Sequence, residues 1–232
     1  MTTTAAQNGG KTASTPSAAS RAGTAAADAL DIRGIEMKTM IVPITGTAPL
    51  IMHRFSEKAK KQMLDAMQGR KNPKEPKDPE AEFQSAFYRM DDGQPAFPSV
   101  GFKSAIVSAG RLFGKNVKMT SLRQSIFVDG ELSEIEGQKM VRIEGEAIMR
   151  EDVVRVGISG TDLRYRPQFT QWRADVKVTY VASALTDDSV LSLIEAAGMG
   201  VGVGEWRPEK SGDFGTFRVD PDREVQVFGN IR

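Results

Sequence analysis

From Trp172 to Ser183 apolar and polar residues alternate without a break. Trp172, Ala174, Val176, Val178, Tyr180 and Ala182 fall on one side, and Arg173, Asp175, Lys177 and Thr179 on the other. A period of two marks a β-strand with one buried face. Thr186 then reads as a helix N-cap, with Asp187 and Asp188 at the positive end of the dipole. Val190, Leu193, Ile194 and Ala197 form that helix's core face, and Gly198 supplies its stop. A half-buried strand leading into an amphipathic helix constrains the fold to layers, with helices packed on a sheet.

The same reading extends along the chain. Ile35–Thr45 is strand-like, and Pro43 marks its end or an edge position. Ser56–Gln68 is expected to be a helix capped by Ser56, with Ala59, Met63, Ala66 and Met67 on one face. Residues 70–80, with three prolines and alternating charges, read as a loop. Pro98–Gly110 reads as a second helix, N-capped by Ser99, whose face is Phe102, Ala105, Ile106 and Ala109. Ser125–Val128 and Lys139–Met149 are expected strands, with Val153–Ile158 pairing the latter. Gly215–Val219 and Val225–Phe228 close the set. Residues 1–30 are rich in Ala, Thr, Ser and Gly; a stretch with so little apolar surface is expected to form a disordered tail. Residues 31–232 are then a single domain with insertions at about 52–96 and 150–170. The fold class is α+β with a ferredoxin-like core. The helices near Ser99 and Thr186 are expected on one face of a sheet that includes Lys139–Met149.

Charge and composition exclude several classes. With 31 basic and 30 acidic residues the net charge is +1, so a nucleic-acid surface has to be local. No cysteine and one histidine leave no thiolate or multi-histidine metal site. No cofactor motif is present. No apolar run approaches 18 residues and no secretory pattern opens the chain, so no membrane span and a cytoplasmic location are expected.

After the capped helix comes Gly198-Met-Gly-Val-Gly-Val-Gly-Glu-Trp-Arg-Pro-Glu-Lys-Ser-Gly-Asp-Phe-Gly-Thr-Phe217. Its glycines permit positive φ and close approach, and consecutive amides there would suit a phosphate. A ligand-free glycine-rich turn is the plainer reading. Three features together resemble the RAMP superfamily, the ferredoxin-like RNA-binding proteins of CRISPR effector complexes. One is Phe97-Pro-Ser-Val-Gly-Phe-Lys-Ser-Ala-Ile106, similar to the family's strand and Lys-containing helix start. The second is Gly202-Val-Gly204 followed by Gly212-Asp-Phe-Gly215, whose finish is one residue longer than the family pattern. The third is the strand and capped helix from Trp172 to Ala197 before that loop. The resemblance covers about residues 35–50 and 96–220. Because the chain is compact for a CRISPR backbone subunit, a free-standing phage or mobile-element relative fits it.

Binding residues follow from both lines of reasoning. In LRYRPQFTQWR, Arg164, Arg166 and Arg173 interleave with Tyr165, Phe169 and Trp172. Guanidiniums hold phosphates while aromatic rings stack on bases; the competing reading puts the aromatics in the core. The resemblance implies that Ser159–Thr170 is the counterpart of a hairpin that intercalates along RNA. Gly202, Gly204, Trp206, Arg207 and Lys210 are the loop's candidates. Lys103 begins a second basic series with Arg111, Lys115, Lys118 and Arg123, for which solvated surface is the default reading. His53 and Arg54 are phosphate candidates. The superfamily's processing endonucleases imply a general acid–base alternative for His53, although no partner for it is visible.

The expected function is non-enzymatic binding of single-stranded RNA or DNA, with self-association along the strand. A metal-independent endoribonuclease using His53 is one alternative. A protein-binding module mimicking a CRISPR subunit is the other.

Overall fold

The computed structural model describes residues 34–70, 76–157 and 160–231. The expected tail, residues 1–30, lies outside them, as do residues 71–75 of the proline-rich loop. The chain divides into two units, Met1–Gly34 and Ile35–Arg232, and the architecture is that of the second.

In chain order its elements are β1 (Met37–Gly46), β2 (Leu50–Ile51), α1 (Glu57–Met67), α2 (Pro79–Ser85), β3 (Ala96–Pro98) and α3 (Ser99–Ala109). A 3₁₀ turn at Gly110–Phe113 leads to α4 (Met119–Ser125), β4 (Ile126–Asp129), β5 (Glu131–Ser133), β6 (Gln138–Arg142), β7 (Ala147–Val156) and β8 (Gly160–Phe169). Then come β9 (Arg173–Val181), α5 (Asp187–Gly200), a 3₁₀ turn at Pro208–Lys210, β10 (Phe217–Val219) and β11 (Gln226–Ile231).

The main sheet has the order β10-β1-β9-β4, with every neighbouring pair antiparallel. β11 takes the half of the β1 edge that β10 leaves open. The alternation that runs into β9 is realised: Trp172, just before the strand, and Ala174, Val176, Val178 and Tyr180 on it are all buried. They meet Met40, Val42 and Ile44 of β1 and the apolar faces of α3 and α5 in one core. Phe102, Ile106, Val190, Leu193 and Ile194 share it, so both helices lie on one face, as expected. Each such side chain stabilises the fold by about 1.5–3 kcal/mol when fully buried.

Pro43 sits not at an edge but in the centre of β1. It pairs with Asp175 of β9, and its carbonyl accepts from Asp220 at the gap between β10 and β11. A strand residue's N and O point the same way, so its missing N–H faces that gap, where the ladder is interrupted.

Several elements differ from the expectation. Lys139–Met149 is not one strand of the main sheet. β6 belongs to a separate sheet, β3-β6-β5, and β7 to another, β2-β8-β7. Gly145, at φ 143°, separates β6 from β7, and any Cβ there would strike the Gln171 carbonyl. Val153 and Val154 extend β7 and pair with Leu163 and Asp162 of β8. Gly198 does not stop α5, which runs on to Gly200. Its role is contact: a Cβ at 198 would collide with the Phe217 carbonyl of β10. Ser99 is not the cap of α3 but its first residue, after Pro98. Ser56 and Thr186 do cap, accepting from the amides of Ala59 and Ser189. On α1 the methionine face is exposed, Met67 at 79%, and Asp65 is the buried residue.

Candidate nucleic-acid interface

The β7–β8 hairpin sets the positions of the expected arginines. Because Arg150 pairs with Arg166 and Asp152 with Arg164, these four share one face. Arg166 is only 1% exposed and forms a buried ion pair with Asp152. Its Nη1 reaches Glu205 at 3.4 Å, and its Nε finds no partner. Arg150 also donates to Asp152, at 2.8 Å. Arg166 is therefore a structural cation, unavailable to a phosphate: breaking a buried pair costs about 3–5 kcal/mol. Trp206, at φ 53°, has the Arg150 and Arg166 guanidiniums 5.1 and 4.9 Å from its ring centre, with Phe214 at 5.9 Å. The ring is engaged by the protein's own cations. Phe169 and Trp172 are core residues, and the Trp172 indole donates to the Ala48 carbonyl.

The glycine loop is likewise turned inward. The amides of Val203, Glu205 and Gly215 donate to Gly215, Ile51 and Pro49, and those of Gly212 and Phe214 to Arg207 and Trp206. These amides are not aligned for an anion. A Cβ at Gly204 would lie 2.5 Å from the Ile51 carbonyl, and one at Gly202 3.1 Å from that of Gly215; both glycines serve close backbone packing. Arg207 holds the loop, donating to the Gly204 carbonyl at 3.1 Å and to Glu209 at 3.0 Å. Arg54 is committed to Glu136 at 2.7 Å, with both side chains mostly buried.

Other candidates remain accessible. Arg164 is paired with Asp162 only at 3.7 Å, and both are about one-third exposed; such a pair contributes about 0–1 kcal/mol and yields to a phosphate. Tyr165 is half-buried and pairs across the hairpin with Glu151. Lys210 is exposed on its 3₁₀ turn. Lys103 lies with its Nζ 4.6 Å from the Phe127 ring centre.

The basic series that the sequence assigns to ordinary solvated surface is the least neutralised. From Gly93 to Val128 there is no acidic residue, while Lys103, Arg111, Lys115, Lys118 and Arg123 all fall within that stretch. It folds into α3, the 3₁₀ turn and α4, which pack together. Arg111, Lys115, Lys118 and Arg123 are exposed, and among the described residues none of them is in an ion pair. Arg111 bonds only the Met119 sulfur. The absence of acidic residues was the sequence signal that could have marked this surface.

His53 lies in a cleft of about 350 Å³ between the glycine loop and the first half of α3. Its walls include Tyr88, Phe97, Val100, Ser104, Glu205 and Glu209. The His53 Nδ1 is 3.9 Å from a Glu205 carboxylate oxygen. Burial holds the His53 pKa below its usual value; Glu205 opposes that, and Arg164 and Arg166 add to it. Near neutral pH the imidazole is thus uncharged.

No family model and no curated protein matches the chain. Among solved structures it is similar to a chain in the type III-B Cmr-beta structure bound to cognate target RNA. Identity is 10% and the TM-score 0.45, covering 84% of this chain and 61% of that one. It is also similar to Cmr6 from Pyrococcus furiosus at 10% identity and TM-score 0.40, covering 79% of this chain and 99% of that one. This chain thus spans less than two-thirds of the first of these. Likeness at these values assigns no residue and no ligand. Among the described residues no group of three metal-ligating side chains occurs, and no helix is long and apolar enough to cross a membrane.

Proposed function

We propose that this chain is a RAMP-like, non-enzymatic protein that binds single-stranded nucleic acid and self-associates along it. The observation that carries the reading is the α3–α4 surface, with exposed cations that no carboxylate among the described residues neutralises. A flexible polyanion is the partner such a surface attracts, whatever the net charge of the whole chain.

The fold supports the RAMP-like part. The succession β1, α3, β4, β9, α5, β10 is strand–helix–strand twice over, and its sheet order is β10-β1-β9-β4. That order supports a ferredoxin-like core, and a single domain over residues 31–232 is part of the proposal. In this reading the insertions at about 52–96 and 150–170 would carry α1 and α2 and most of the β7–β8 hairpin. The hairpin exposes Val153, Val156 and Leu163, apolar side chains that intercalation along a strand or a neighbouring copy would cover.

The endoribonuclease alternative rests on His53. Its lowered pKa makes it a base, and cleavage needs an acid within reach. Tyr88 shares the cleft, but burial and the Glu136 carboxylate raise its pKa and hold its proton. The binder reading is preferred for that reason.

The test is fluorescence anisotropy with a labelled 20-nucleotide single strand. Arg111, Lys115, Lys118 and Arg123 all changed to Gln should weaken binding more than tenfold. Arg164→Gln alone should weaken it severalfold, equally for all sequences. Undiminished affinity in the quadruple variant would overturn the assignment. RNA cleavage in chelator that disappears in His53→Ala would promote the nuclease.

A further inference from the structure

We propose that the cleft between α3 and the glycine loop takes one unpaired nucleobase bearing an exocyclic amine. This rests on the single-strand binding reading and adds base preference to it. The cleft's volume, about 350 Å³, lies within the range of small-molecule sites.

Its walls suit a flat, apolar body. Tyr88 and Phe97 meet edge to face, 5.9 Å apart at 78°. Gly101 allows the Phe97 ring to lie against α3, since a Cβ there would stand 2.6 Å from that ring. Val100, Ala105 and Val203 complete the apolar lining.

Its polar groups favour hydrogen-bond donors. Glu205 is 39% exposed at the side chain, and Glu209 is 25% exposed. Glu209 is clamped by Arg207 at 3.0 Å, while the contacts of Glu205 are the longer ones to Arg166, 3.4 Å, and His53, 3.9 Å. Glu205 therefore retains acceptor capacity. Each carboxylate is paired with an arginine, Glu209 with Arg207 of the wall and Glu205 with Arg166 behind it, so the wall's guanidinium is engaged rather than free for a phosphate, and a base edge is what fits. Carboxylates accept from the cytosine N4 amine, and adenine offers its N6 amine in the same way. Uracil presents carbonyl acceptors on both sides of its N3–H and would be rejected.

Cations flank the cleft's residues along the chain. Ser104 of its wall is next to Lys103, and Glu209 is next to the exposed Lys210. A strand whose phosphates follow the cations can turn one base inward.

The experiment measures affinities for 12-mers of rC, rA and rU, with wild type, Ser104→Leu and Glu205→Gln. Ser104 is exposed on α3, and Leu is a good helix former there, so the first variant fills the cleft without disturbing the core. Wild type should bind rC and rA about tenfold more tightly than rU. Ser104→Leu should bring all three to the affinity of rU, with the salt dependence unchanged, and Glu205→Gln should reduce the preference. Equal wild-type affinities, or a preference that survives Ser104→Leu, would overturn the cleft assignment and leave the cationic surface standing. Failure to bind any 12-mer would overturn both.

Discussion

Arg166 and Arg164 stand two residues apart on β8, yet only the second can meet a ligand. Asp152 supports the first from within the fold, so Asp152→Ala should destabilise the protein by about 3–5 kcal/mol. Arg164→Gln should change stability by less than about 0.5 kcal/mol. Urea denaturation of both variants checks the contrast. The sequence shows arginines interleaved with aromatics, but Asp152 becomes a partner only once β7 pairs with β8. That pairing is long-range information which no local pattern carries. His53 gives a second measurement. It is the only histidine, so its imidazole resonances can be followed by proton NMR without ambiguity. The midpoint should fall below about 6.5, and Glu205→Gln should lower it further by removing the opposing charge. The sign for stability follows: the unfolded chain binds this proton more readily. The contribution of neutral His53 is full above the unfolded pKa and is lost as pH falls toward the folded one. A midpoint above 6.5 would contradict the burial described.

At the scale of elements, periodicity and caps were legible where one face is buried. β9 and α5 are the clearest cases, and Thr186→Ala should cost about 1 kcal/mol by leaving the Ser189 amide without its acceptor. Gly198→Ala should also destabilise the protein, because the new methyl meets the β10 backbone. Thermal melts of these two variants check both. The sequence alone gives Gly198 the signature of a helix stop, since a close-contact glycine and a C-terminal glycine look alike. α2 and α4, at seven residues each, leave no mark in the sequence because so short a helix depends on tertiary contacts rather than on its own period. The Lys139–Met149 run alternates as a single strand would, and only the φ of Gly145 and its contact with Gln171 divide it between two sheets. α1 is the opposite case: its helical period is real, but Met63, Leu64 and Met67 remain at least half exposed.

For the whole molecule, a net charge of +1 conceals an uneven distribution. Carboxylates neutralise the cations of the hairpin base and the glycine loop, while α3 and α4 have none nearby in sequence. The residues of the candidate interface were in part visible: Lys103, Lys210 and Arg164 are accessible as read, whereas Arg166, Arg207 and Arg54 are tied into the fold. What decides between these groups is ion pairing in three dimensions. The most direct measurement of the central claim is the slope of log affinity against log salt for a single strand. The wild type should show a steep negative slope, and the quadruple Gln variant at Arg111, Lys115, Lys118 and Arg123 a shallower one. Each lost phosphate contact should reduce the slope by about 0.7. Identical slopes for the two proteins, or a wild-type affinity indifferent to salt, would contradict the account.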